Sequence, residues 1–177
     1  MCPDKIKRIT WIIQEAKQEI VPALALLQIK CWATTYRNIL PVDYLNSFSL
    51  EHTERYWLKE LKEKNKKILV ATIGGNVVGY VDFTLGHSKT TNRSFVSLGS
   101  LYIHPKEKRK GIGSSLLNHV ESLSKVSRFS ISLFVHYENH SAKSFFEKNG
   151  YTAIRICEKF SLGASLNVKV TEYFKEF

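Results

Sequence analysis

Residues 101–117 read LYIHPKEKRKGIGSSLL, and the way this stretch is read decides how the chain folds. Leu101, Tyr102 and Ile103 end a β-branched and aromatic run that starts near Phe95, which predicts a strand. Pro105 cannot donate to a ladder and stops further pairing. Lys106, Lys108, Arg109 and Lys110 against Glu107 make the next loop locally cationic. Gly111 and Gly113 then open an amphipathic helix whose stripe is Ile112, Leu116, Leu117, Val120 and Leu123. A strand leading through a basic loop into two glycines and a helix is an anion cradle. Glycine lets a phosphate approach the main chain, and the first-turn N–H groups of a helix lack intrahelical partners. The spacing is neither GxxxxGK[ST] nor GxGxxG, so it is not a P-loop or a dinucleotide fingerprint.

Outward from this stretch the elements alternate in type. Upstream, residues 8–14 predict a strand, and Ile20, Leu24, Leu27 and Cys31 recur at helical spacing over residues 16–36. Pro22 fits that helix only in its first turn or at a kink. Ser49 caps a second helix carrying Trp57, Leu58 and Leu61. Residues 68–73 and 77–85 flank Gly74-Gly75-Asn76, a hairpin signal. Downstream come a strand over 129–135, a short helix over 140–149 closed by Gly150, and strands over 151–160 and 166–174. Such an order predicts an α+β fold, an antiparallel meander followed by a helical crossover between parallel neighbours.

The chain has 177 residues, which fits a single domain over 1–177. Its 44% hydrophobic and 24% charged residues are globular values and exclude disorder. The longest apolar stretches, such as residues 20–27, are far shorter than the roughly 20 residues of a membrane span. Asp4, Lys5, Lys7 and Arg8 interrupt the first residues before an apolar leader can form, so a cytoplasmic location is expected. Cys2, Cys31 and Cys157 show no CxxC spacing, which argues against a disulfide framework, and no metal site is expected. Twenty-six Lys and Arg against 16 Asp and Glu leave +10, a surplus that suits a polyanionic partner.

The 101–117 stretch resembles the GNAT superfamily of acetyl-CoA-dependent N-acetyltransferases, whose signature Arg/Gln-x-x-Gly-x-Gly/Ala follows a Leu-Tyr-Val-like triplet. Here the signature reads Lys108-Arg109-Lys110-Gly111-Ile112-Gly113, with Lys108 replacing the usual Arg or Gln. A second likeness runs through Leu133-Phe134-Val135, Asn139, Ala142 and the FFEKNGY of residues 145–151. A third, CWATTYRNILPVDYL at residues 31–45, is similar to the Trp-x-x-Thr-Tyr-Arg-Gly stretch of one branch. The resemblance implies a twisted, mostly antiparallel sheet of about seven strands flanked by about four helices, with splayed central strands that bind acetyl-CoA. The 108–113 loop and Ser114 would hold the pyrophosphate through backbone amides. The backbone of Leu101, Tyr102 and Ile103 would pair with the pantetheine arm. Asn139 matches the family's residue beside the pantetheine, and it also reads as a plain helix cap.

Acetyl transfer to an amine needs a neutral nucleophile, and at an amine pKa near 10.4 only about one molecule in 2,500 is neutral at pH 7. A base and an oxyanion donor are therefore expected. The family often places a Glu six residues before the Val position, and counting back from Ile103 finds Ser97. Asp82, on the preceding strand and on one face with Tyr80, is the nearest base; it reads equally as a solvent-facing carboxylate. The family's acid, a Tyr, falls at Phe146, and Tyr137 is the nearest hydroxyl. Trp32, Tyr36 and Tyr80 would wall the acceptor pocket, although the first two also continue a helical core face. His87, His119 and His136 read as surface or satisfied residues.

The implied function is N-acetylation of a small-molecule, peptide or protein amine, compatible with a homodimer and with no membrane. Two other classes compete: a silent acyl-CoA sensor, suggested by Ser97 and Phe146, and a nucleic-acid or ribosome binder, suggested by the charge. Against the last, aromatics do not interleave with the basic run at RNP-like spacing.

Overall fold

The computed structural model describes residues 10–88, 93–160 and 167–177. In chain order the elements are β1 (Ile12–Glu15), α1 (Val21–Thr35), α2 (Val42–Asn46), α3 (Leu50–Glu60), β2 (Lys66–Ile73), β3 (Asn76–Ser88) and β4 (Arg93–Ile103). There follow α4 (Ile112–Ser127), β5 (Ser130–His136), α5 (His140–Lys148), β6 (Thr152–Phe160) and β7 (Asn167–Lys175). The seven strands lie in the order β1-β2-β3-β4-β5-β7-β6. Every neighbouring pair is antiparallel except β4 and β5, which are joined through α4. The expected meander and crossover are both present. So is one helix more than expected, the single-turn α2, too short to have a readable period.

Local chemistry explains most boundaries. Residues 8 and 9 of the expected first strand lie outside the described residues, and β1 runs one residue further than expected. A single 3₁₀ turn, Gln18–Ile20, precedes α1 and places Pro22 in the helix's first turn, where its missing N–H costs nothing. The Ser49 side chain accepts from the His52 N–H at 3.1 Å and so starts α3. Gly74 and Gly75 both have positive φ, +56° and +84°, as a tight hairpin turn between β2 and β3 requires. Gly150, at φ +82°, closes α5.

The sheet buries two cores. On one face α4 brings Ile112, Leu116, Leu117 and Val120 against Val81, Phe83, Val96, Leu98 and Leu133, and α5 adds Phe146. On the other, α1 and α3 bring Leu24, Leu27, Cys31 and Trp57 against Ile68, Val70 and Tyr80. The Trp57 indole N–H donates to Gln28 Oε1 at 2.6 Å and ties the two helices together. Among the described residues no helix is long and apolar enough to cross a membrane.

Candidate active site

The sheet opens at its centre. β4 and β5 pair in parallel from Phe95–Ser130 to Leu98–Leu133, and no further. Yet β4 continues to Ile103 and β5 to His136, so residues 99–103 and 134–136 border a gap. The change in β4 is visible against β3 too: Asp82 pairs with Ser100 while Phe83 pairs with Leu98, leaving Gly99 as a bulge. A Cβ at Gly99 would lie 2.3 Å from Asp82 Oδ2, so the carboxylate fills the space that only glycine leaves.

At the far end of β4 the backbone builds the anion cradle. Pro105–Glu107 form one 3₁₀ turn, Lys108 is extended, and Arg109 has φ 65°. Gly111 is the N-cap of α4 at φ +92°, a conformation that L side chains rarely adopt. It supplies no side-chain cap, so the first turn of α4 presents its N–H groups outward. Lys110 is ion-paired with Glu107 at 2.8 Å; Lys108 and Arg109 are exposed. Ile112 is buried, whereas Gly113 and Ser114 stay half-buried at the mouth. Leu101 and Ile103 turn toward the α4 core and Tyr102 toward the α1/α3 side, so the triplet leaves its main chain along the gap. Such a cradle beside unpaired strand backbone fits a diphosphate carrying an extended arm.

Across the gap the site is made of side chains. Trp32 packs on Tyr36 (centroids 5.1 Å apart) and on Phe48 (4.9 Å). Trp32, Tyr44, Phe48 and Tyr56, with Gln28 and His52, line a cleft of about 160 Å³ between α1, α2 and α3. The Tyr36 hydroxyl lies 3.1 Å from the Tyr102 hydroxyl, and its ring meets His136 edge-on at 6.0 Å. His136 is part-buried, its Nδ1 accepting from the Glu138 N–H at 3.2 Å, and His87 and His119 are satisfied by Ser94 Oγ and the Ser115 carbonyl. Asn139 caps α5, its Oδ1 accepting from the Ala142 N–H at 3.2 Å.

Asp82 does not face solvent. Its side chain is 3% exposed, and Oδ2 is 2.7 Å from Lys66 Nζ, which also reaches Glu60 at 2.7 Å. Burial opposes the Lys66 ammonium, but the charge of Asp82 and hydrogen bonds from both carboxylates outweigh it and hold its pKa up. Burial raises Asp82 above the ordinary carboxylate range despite the pull of Lys66, and Oδ1 has no hydrogen-bond partner. Tyr80 is fully buried between Trp57 and Tyr102, with ring centroids 5.3 and 5.7 Å away. It therefore lies under the site and forms no open wall. Phe146 packs on Phe145, Tyr151 and Tyr173. Tyr137 is boxed by the ammoniums of Lys143 and Lys169, 4.7 and 4.4 Å from its ring, and its N–H donates to the Lys169 carbonyl on β7.

Lys66, Gly99 and His136 were not singled out by their sequence context. Gly99 carried a signal, since a glycine inside a strand marks a bulge or a close approach. Lys66 carried one too, because alternation across the hairpin puts it on the face of Asp82.

A splayed parallel pair beside a glycine-led helix end is the architecture of an acyl-CoA site, and comparison with known proteins agrees. Residues 33–151 match the acetyltransferase (GNAT) family, and the chain belongs to it. It is 32% identical over 108 residues to the uncharacterized N-acetyltransferase YuaI of Bacillus subtilis, a match covering 59% of each chain. It is 24% identical over 145 residues to the spermidine N(1)-acetyltransferase of Thermoplasma acidophilum, covering 78% of this chain and 86% of that one. The fold is shared with the PaiA N-acetyltransferase of T. acidophilum, solved in complex with coenzyme A. That likeness has a TM-score of 0.72 at 21% identity and covers 95% of this chain and 99% of the other.

Proposed function

We propose that the chain transfers the acetyl group of acetyl-CoA to a primary amine of a small molecule, peptide or protein. The observation that carries this reading is the end of β4–β5 pairing at Leu98–Leu133, directly upstream of the Gly111 cradle. Residues 108–114 take the pyrophosphate, with Lys108 and Arg109 adding charge. The free backbone edge of Leu101–Ile103 pairs with the pantetheine arm, and Asn139 closes over it from α5. The unpaired N–H groups of β4 beyond the Gly99 bulge supply the oxyanion donor. Asp82 serves as the general base: Oδ2 is anchored by Lys66, Oδ1 is unpartnered, and burial favours proton uptake. Its proton passes through Ser100, its partner across the ladder, or through water.

Trp32 and Tyr36 wall the acceptor side. The residues lining the adjoining cleft include no carboxylate, and Asp82 and Glu60 both lie against Lys66. Such a wall offers aromatic faces but no carboxylate partners, which suits an amine carrying an apolar or aromatic body. The basic surplus is read as serving the cofactor mouth rather than nucleic acid, and the reaction is placed in the cytoplasm.

The test is a calorimetric titration with acetyl-CoA, then thiol release with a panel of aromatic monoamines, spermidine and peptides. Micromolar binding with turnover of one acceptor class is expected. Binding without turnover of any acceptor would favour the sensor, and absence of binding would overturn the reading.

A further inference from the structure

Acetyl transfer leaves coenzyme A as a thiolate, and neither position expected to protonate it is suited. Phe146 has no hydroxyl, and the contacts of Tyr137 anchor it to α5 and β7 rather than to β4. One phenol does reach both banks of the gap. Tyr36 ends α1, touches the Tyr102 hydroxyl on β4 beyond the last β4–β5 rung, and packs on His136 at the end of β5. Asn139, which caps α5, lies beside the same hydroxyl. Three elements separate in sequence thus bring their polar groups to one side chain at the open part of the sheet.

We propose that Tyr36 is the acid that protonates the departing thiolate, with Tyr102 as its hydrogen-bonding partner. This rests on the acetyl-transfer reading. As the C–S bond breaks, the Tyr36 O–H bond breaks and an S–H bond forms. The nitrogen sheds two protons: Asp82 takes the one that makes the ammonium a free amine, and the phenolate, held by the Tyr102 hydroxyl, takes the second from the newly acylated nitrogen. One proton moves from nitrogen to sulfur, and the tyrosine is regenerated. Burial raises the pKa of both phenols, so each stays protonated and able to donate at neutral pH. The titratable groups around the pair are His136 on β5, Tyr80 on β3 and Cys31 on α1, whose thiol burial pushes up to about 11.

The test compares wild type with Tyr36→Phe. The wild type must first turn over acetyl-CoA; if it does not, the acetyl-transfer reading itself fails. Given turnover, Tyr36→Phe should lower kcat by about 10²–10⁴-fold. Acetyl-CoA affinity by calorimetry should stay within about twofold, and the alkaline limb of the kcat profile should disappear. The melting curve shows whether the variant is folded, and Tyr102→Phe, one hydroxyl away, should give a smaller drop in kcat. A Tyr36→Phe enzyme that keeps kcat within about threefold would overturn the inference. So would one that only raises KM for the amine, since a wall residue acts that way.

Discussion

The two halves of the site are built from different material. The half proposed to hold the cofactor is main chain: a left-handed glycine, an uncapped helix start and the strand edge beyond the last β4–β5 rung, all within residues 99–114. The acceptor half is side chain: Trp32, Tyr36, Phe48 and Tyr102 come from α1, the segment before α3, and β4. On the proposed reading, backbone geometry recognises what every acyl-CoA shares, a diphosphate and an amide-bearing arm. Side chains recognise what differs, the amine. Substitutions in the first half should therefore abolish binding, whereas those in the second should shift selectivity or rate.

The largest effect is expected at the cradle. Gly111 has φ +92°, so any side chain there is strained, and a carboxylate would face the phosphates. Gly111→Glu should weaken acetyl-CoA binding by more than about a hundredfold, a repulsion of several kcal/mol at partial burial. Calorimetry showing affinity within twofold of wild type would mean that the phosphates sit elsewhere.

Between the halves stands the Lys66–Asp82–Glu60 cluster, which holds the bulge. Lys66→Met leaves the buried Asp82 and the half-buried Glu60 without their cation and should cost about 3 kcal/mol of stability at neutral pH. The sign with pH follows from the raised Asp82 pKa. A folded-state pKa above the unfolded value means that the folded chain binds the proton more tightly, so stability falls as pH rises through it. Removing Lys66 raises that pKa further, so the deficit should shrink on acidification toward the carboxylate range. Denaturant titrations at several pH values would show it, and a deficit that grows on acidification would mean that Asp82 is not the group involved.

On the acceptor side, Trp32→Ala should raise KM for a productive aromatic amine about tenfold, the cost of roughly 1.4 kcal/mol of ring contact. The acetyl-CoA KM should stay within twofold. Equal losses on both substrates would erase the distinction between the halves, because Trp32 would then be serving the fold.

Legibility follows the same division. The Gly111-Ile112-Gly113 cradle and the sheet order could be read because both depend on local spacing and chain order. Most element ends were off by one to three residues, but α1 starts five residues later than its periodicity suggests, because the 3₁₀ turn Gln18–Ile20 and Pro22 set its entry. Asp82 could be read as a carboxylate on the face of Tyr80, but not as a buried one: that depends on Lys66 and Glu60 meeting it from β2 and α3. The role of Tyr36 was legible only as an aromatic wall. Its hydroxyl partner lies 66 residues away, a separation that no periodicity reports.

The smallest effect is expected at Tyr137. Its ring is held between Lys143 and Lys169, and its N–H is tied to β7, so its contacts anchor it to α5 and β7 rather than to β4. Removing the hydroxyl keeps both cation–π contacts, since these act on the ring face. Tyr137→Phe should therefore leave kcat, both KM values and the melting temperature almost unchanged, within about twofold for the kinetics, against 10²–10⁴-fold for loss of an acid. A loss above about a hundredfold with acetyl-CoA binding intact would make Tyr137 the acid. The turn joining β5 to α5 would then have to release the ring from its α5 and β7 contacts during turnover.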